Sequence, residues 1–435
     1  MNQSISLLRS NVHHLYWDIF YFGVLAGSSI AFLSVYAARA GASGFQISLL
    51  TAAPAVINLL FSLPAGRGLE ERNHPDGGNP DHIARSTFWS AFLFRLGYLA
   101  IIGVPWLATT GFDIWGLVVV TILMSIPGTW LAIAFNALFA DVVPPEYRSN
   151  IVGRRNALMA FSLSGTTLLA GQVLDRVPIY PLNYQIVFAM GALGAMLSTY
   201  HLSRIHLGEE PPHRIGRPLG DFARPGLMRF ADAFRLAVGL RFLARSRGKP
   251  LLRLDLLRSP FGRFLAAYLV FYVAQFMPVP LFPLAYVRSL GLTDGQISLG
   301  GALFYLTMLA ISLRMGHLTV QYGHKTLLVL GSIGYALYPF LLGMATSAIL
   351  FWVASFFGGM IWGIASAALV NRLMEVAPEK ERPAAMALHN LVLNMGMLAG
   401  ALFAPLMGDL LGIQEALLAA AGLRMLAGLF LAYWA

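Results

Sequence analysis

Stretches of roughly 20 mostly apolar residues, the length of helix that crosses the hydrocarbon of a bilayer, recur along this chain. They fall at 15–36, 46–65, 86–107, 114–139, 151–174, 184–204, 263–287, 296–316, 325–346, 348–370, 384–407 and 414–435. Each is long and unbroken, whereas a closed β-barrel would show short segments of alternating polarity. The expectation is an all-α integral membrane protein with twelve transmembrane helices. Of 435 residues, 57% are hydrophobic and only 11% charged, less than half the usual charged share of about 25%, so the apolar excess needs lipid to face. There are no cysteines, which removes disulfides, thiolate nucleophiles and Cys-based metal sites.

Arg and Lys set the direction of such a chain, because basic loops stay on the cytoplasmic side. With the N-terminus inside, 25 of the 30 basic residues fall in inner segments, three in outer loops (Arg39, Arg176, Arg288) and two within spans (Arg95, Arg424). Both termini are expected to be cytoplasmic and the location to be the plasma (inner) membrane.

The second half of the sequence repeats the first. Tyr36, Gly41, Ser43 and Gln46-Ile47-Ser48-Leu49 recur 250 positions later as Tyr286, Gly291, Thr293 and Gln296-Ile297-Ser298-Leu299, and Gly66 recurs as Gly316. Pro144, Arg148 and Asn156 recur 234 positions later as Pro378, Arg382 and Asn390. The difference is absorbed by the polar stretch 70–82. Repeated halves of six spans are a transporter signature. The division is a six-helix bundle over 1–204, a basic linker over 205–262 and a second bundle over 263–435. The linker could carry a short amphipathic helix on anionic inner-leaflet lipids.

On this repeat and topology the chain resembles the major facilitator superfamily. The family's loop motif, G-x-L-x-D-x-x-G-x-[RK], has a partial copy in each half. Gly316, Leu318, Gly323 and Lys325 keep it with Val320 in place of the acid, and Gly66 with Glu70 keeps the first glycine and the acid. The resemblance implies two pseudo-symmetric six-helix bundles that expose a central site to each side in turn. It also implies a cytoplasmic latch at Glu70, with Arg72 or Arg148 as partner. Arg148 and Arg382 open the fifth and eleventh spans. Asn156 and Asn390, about two turns further in, suit hydrogen bonds between helices.

In the resembled fold the first, fourth, seventh and tenth helices line the cavity. Each of these carries a polar or aromatic stripe at helical spacing: Asp18, Tyr21 and Ser28; Thr121, Ser125, Thr129 and Asn136; Tyr268, Tyr272 and Gln275; Ser355, Trp362 and Ser366. A polar face on a membrane helix should look at protein or water. Asp18, the only carboxylate of the first span, is the candidate for coupling to protons, and the alternative places it in water at the inner interface. Arg95 and Arg424 lie inside spans that the family makes peripheral, which suggests pairing with neighbouring polar groups or snorkelling. Pro278, Pro280 and Pro283 predict a bend in the seventh span.

No cluster of His, Asp and Glu suggests a metal, no G-x4-G-K-[ST] run suggests ATP hydrolysis, and no nucleic-acid module accompanies the net charge of +10. Neither a cofactor nor catalysis is expected. The functional expectation is a carrier for a small organic solute, neutral, amphipathic or cationic, with protons or another ion as the coupling partner. The alternative is a protein of the same fold that serves as a receptor or assembly factor.

Overall fold

The computed structural model describes residues 2–71, 81–207, 254–378 and 381–434. Helix α1 runs from Asn2 through a π-helical turn at Ala26–Ile30 to Arg39, followed by α2 (Gly44–Glu71), α3 (Asp81–Gly103), α4 (Asp113–Val142), α5 (Pro145–Arg176) and α6 (Leu182–Ser203). In the second half α7 spans Pro260–Phe276, breaks, and resumes over 281–289. A helical run over Asp294–Gly334 bends sharply at Gly323 (φ 74°), which divides it into α8 (294–322) and α9 (324–334), the latter extended by Leu337–Gly343. Then follow α10 (Ala348–Val376), α11 (Arg382–Leu411) and α12 (Ile413–Trp434).

Among the described residues eleven helical runs are long and apolar enough to cross a membrane, and one of them, of 50 residues, contains the Gly323 bend. Counting it twice gives the twelve crossings expected. Large apolar side chains on the outside, such as Trp89, Leu123, Phe161 and Leu410, supply the lipid-facing surface. The end where α1 begins and α12 finishes is called the near end below, and the opposite one the far end.

The repeated residues have a local purpose. Ser43 and Gln46 exchange backbone and side-chain hydrogen bonds (2.8 and 3.2 Å), and Thr293 and Gln296 do the same (3.0 and 3.2 Å). Each pair is a capping box that satisfies orphan N–H groups where a helix starts in the far-end turn. Gly41 and Gly291 precede them with positive φ (88° and 58°), a conformation that glycine adopts without strain.

Apolar packing is distributed unequally along the membrane normal. Toward the far end one core joins both halves, with Tyr36, Leu50 and Leu174 packed together with Leu284, Ile297 and Ala404. Toward the near end there are two cores. One holds residues of the first half, including Leu15, Leu138 and Leu202, and the other those of the second, including Phe264, Leu328 and Leu388. The halves are therefore joined at the far end and separately packed at the near end. Helix pairs α5–α8 and α2–α11 form the seams between them.

The Arg72 candidate and the amphipathic linker segment lie outside the described residues. For Gly66 and Glu70 only the helical backbone of α2 is described.

Candidate functional site

The far-end closure is a reciprocal clasp. Arg39, at the end of α1, donates to the carboxylate of Asp294 (3.0 Å) and to the backbone carbonyl of Leu292 (2.7 Å). Arg288, at the end of α7, donates to the carbonyl of Ala42 (2.6 Å). Ala42 and Leu292 are equivalent positions of the 250-residue repeat. Tyr184 also donates to Asp294 (3.0 Å), and Thr293 to Asp175 (3.0 Å). Two of the three arginines on the outer side of the sequence-derived topology are thus the ones that bind the halves together.

Deeper in the membrane the seam is polar and uncharged. Thr129 of α4 donates to Asn58 of α2 (2.6 Å). Asn58 donates across the seam to Asn394 of α11 (3.3 Å), and Asn394 donates to the side chain of Asn390 (3.3 Å). This chain of amides links three helices and both halves. Its two central members were not selected from the sequence. An amide in the middle of an apolar span needs a partner, and that need is the one signal in the sequence that points to Asn58 and Asn394, as it does to other amides of the spans. Asn156, the repeat equivalent of Asn390, is buried on α5, but its side chain makes no hydrogen bond, so the bond between helices expected of it is absent in this state. One turn further, Ala160 packs on Met308 of α8 at the other seam. The repeated Asn therefore sits close to an inter-half seam in each half.

The stripe on α1 has another environment than the cavity expected for it. Asp18 has 0% exposure and is held inside the first bundle by Arg95 of α3 (3.3 Å) and Arg155 of α5 (3.1 Å), with Ser198 of α6 also donating to it. Neither water at an interface nor an open cavity reaches it in this state. A carboxylate and guanidiniums stripped of water need each other more than they need a cavity wall. Arg95, also 0% exposed, accordingly points into the bundle and donates to Thr199 as well (3.0 Å). Ser28 is buried against α6 at Gly191 and bonds the Val24 carbonyl. Tyr21 stacks on Trp17 and on His201 of α6.

On the other stripes, Ser125 bonds the Thr121 carbonyl (2.6 Å), and Thr121 is itself buried. Asn136 is half-buried. In the second half Tyr268 donates to the Leu369 carbonyl of α10 (2.7 Å), and the Tyr272 hydroxyl lies 2.8 Å from Nε2 of His389 on α11. Gln275 and Ser355 are buried, while Trp362 and Ser366 are half-buried. Trp362 packs on Tyr335, with ring centroids 4.9 Å apart. Toward the far end Tyr286 and Tyr338 share a hydrogen bond of 2.6 Å.

Arg424 explains how the second bundle tolerates its prolines. Pro278 has no N–H to offer the Ala274 carbonyl, and Pro339 has none for Tyr335. Arg424 of α12, 1% exposed, donates to Ala274 (3.3 Å), to Gln275 (2.6 Å) and to Tyr335 (3.4 Å). One guanidinium thus serves the open carbonyls of two broken helices, α7 and α9. Its charge lies at their carboxyl-terminal breaks, where the helix dipole favours a cation, and over the Tyr335 ring at 4.6 Å.

At the near end Arg148 donates to the carbonyls of Ala140 and Val143, closing the last turn of α4 as a basic side chain can. Gly316 and Gly323 occupy the α8–α9 region, and Lys325 is exposed beside the bend. Arg382 opens α11. Among the described residues no group of three or more His, Asp or Glu is placed to hold a metal.

The family model described as "Major Facilitator Superfamily" matches residues 264–435. No curated protein matches the chain in sequence. Solved structures match its fold over nearly its whole length. The nucleoside transporter NupG is 12% identical with a TM-score of 0.66, covering 98% of each chain. The xylose transporter XylE of E. coli, in a partially occluded inward-open conformation, is 15% identical with a TM-score of 0.63, covering 97% of this chain and 98% of that one. The human organic anion transporter MFSD10 is 14% identical with a TM-score of 0.61, covering 98% of this chain and 99% of that one. The second half of the chain thus matches the family model, and the whole chain shares the fold of these solved transporters.

Proposed function

We propose that the chain carries a small organic solute across a membrane by alternating access, and that the conformation described here is closed at the far end and poised open at the near end. The observation that supports this reading is the unequal core, shared and clasped at one end and divided at the other. The basic-residue bias makes the near end cytoplasmic, so the state is inward-facing. The inter-half seam at mid-membrane offers amides and hydroxyls, while Asp18, Arg95, Arg155 and Arg424 are engaged within their own bundles. Such a seam suits a neutral, hydrogen-bonding solute better than a multivalent ion. Solved transporters of this fold named for xylose, nucleosides and organic anions are too diverse for the fold itself to select a class. Proton coupling through Asp18 requires its arginine network to open in another state of the cycle.

The test is a ligand-stabilisation screen on the purified protein, followed by counterflow in proteoliposomes with each stabilising solute. A solute that binds the folded state raises the melting temperature. Counterflow that is lost in Asn58→Ala and Asn394→Ala, on folded protein, is the expected result. Stabilising solutes that show no counterflow in sealed vesicles would sink the reading as a carrier.

A further inference from the structure

A groove of about 780 Å³ runs along the outside of the first bundle between α3 and α4. It is independent of the seam between the halves. Its walls are apolar, with Trp89, Leu93 and Leu96 from α3 facing Leu123, Ile126 and Trp130 from α4. Trp89, Leu93, Leu96 and Leu123 are each exposed by more than two fifths, so the groove is open to whatever surrounds the protein. The two helices meet at its floor, where Gly97 lies against Met124 and Gly128 against Phe94. Pro127, inside α4, also lines it.

The near end of the groove differs in chemistry. Its wall there is His82, Arg85 and Ser86, on the first turns of a 23-residue helix. Arg85 is exposed and has no carboxylate partner among the described residues. From Arg85 to Ala100, the last lining residue of α3, fifteen residues of helix rise about 22 Å, more than the ~15 Å of hydrocarbon in one leaflet. The site is thus basic at the depth of a headgroup and apolar for the length of an acyl chain.

We propose that this groove is a binding site for an anionic phospholipid of the near-end leaflet, with its phosphate on Arg85 and one acyl chain along the α3–α4 groove. Charge complementarity selects the headgroup, and the two tryptophans flank the chain. Ile126, Pro127 and Trp130 are neighbours in sequence of Thr129, which bonds Asn58 on the other side of α4. The lipid therefore supports from behind the helix that presents Thr129 to the seam.

The experiment uses the full chain, purified in neutral detergent and delipidated, with phosphatidylglycerol and phosphatidylcholine as probes, each also with brominated acyl chains. Brominated phosphatidylglycerol is expected to quench wild-type tryptophan fluorescence at lower concentration than brominated phosphatidylcholine. The preference falls about fivefold in Arg85→Gln, as the loss of one basic contact predicts. In Trp89→Phe and Trp130→Phe the quenched fraction falls while the melting-temperature response to phosphatidylglycerol persists. Equal quenching by the two lipids would overturn the proposal, as would an unchanged preference in folded Arg85→Gln or undiminished quenching in both tryptophan variants. The basic linker is unchanged in every variant, so any preference it contributes is the same in the wild type and in Arg85→Gln.

Discussion

The Arg39 guanidinium lies 3.0 Å from the Asp294 carboxylate, and these residues, 255 positions apart, belong to different halves of the chain. Asp294 is buried and Arg39 about one quarter exposed, so the pair is only partly screened by water. It closes the far end together with the Arg39–Leu292 and Arg288–Ala42 contacts.

Breaking this pair should favour the far-end-open state. A charge-assisted hydrogen bond of this kind is worth about 1.5–3 kcal/mol, and ~1.4 kcal/mol is a tenfold shift in an equilibrium. The chain has no cysteine, so Ala404→Cys in the shared core (0% exposed) can report the opening alone. Asp294→Asn in that background is expected to speed labelling by an impermeant maleimide about tenfold. Unchanged labelling would mean that the apolar core holds the far end by itself.

Asp18→Asn removes the carboxylate that Arg95 and Arg155 share. Deleting one partner of a buried ion pair costs about 3–5 kcal/mol, and a loss of that order is expected in denaturant or thermal unfolding. The double variant Asp18→Asn with Arg95→Gln should lose less than the sum of the single losses. Additive losses would show that the 3.3 Å contact contributes nothing.

Arg424→Met leaves the carbonyls of Ala274, Gln275 and Tyr335 open in a buried site. At about 1–3 kcal/mol for each unsatisfied group, partly offset by the relief of a buried charge, a net destabilisation of about 2–4 kcal/mol is expected. Arg424→Lys, with a smaller and non-planar donor set, should recover only part of it. Restoring the helix N–H with Pro278→Ala should make Arg424→Met milder. No interaction between these two positions in a double-mutant cycle would contradict the account of the break.

Asn58→Ala and Asn394→Ala each cut the same hydrogen bond, worth about 0.5–1.5 kcal/mol. Their effects on unfolding are expected to be small and less than additive, while their effect on solute-induced stabilisation should be large. A variant that binds solute as the wild type does would place recognition elsewhere along the seam.

The helices and their repeat were legible because both are written in local terms. Apolar run length sets a crossing, and a Ser or Thr three residues before a Gln sets a helix start, as at Ser43 and Thr293. The α1 stripe was harder to interpret. Asp18, Tyr21 and Ser28 all meet α6, at Ser198, His201 and Gly191, but a stripe states only that a partner is needed, not which of several neighbouring helices provides it. The prolines of α7 correctly gave a break between Phe276 and Leu281. The role of Arg424 could not be read, because the carbonyls it serves lie 149 and 150 positions away and only the packed bundle brings them together. Asn58 and Asn394 failed to stand out for the opposite reason, each being a lone amide outside any repeated pattern.

The far-end clasp has a consequence for the symmetry of the chain. Each half carries both parts of the contact, an acceptor carbonyl at the same repeat position (Ala42 or Leu292) and a guanidinium close by, Arg39 and Arg288 lying one position out of register in the repeat. A surface with both donor and acceptor can meet a copy of itself around a twofold axis. A six-helix half that carries both parts would have the chemistry to pair with its own copy. In this chain the two copies of that chemistry meet within one molecule, as the closure of the far end.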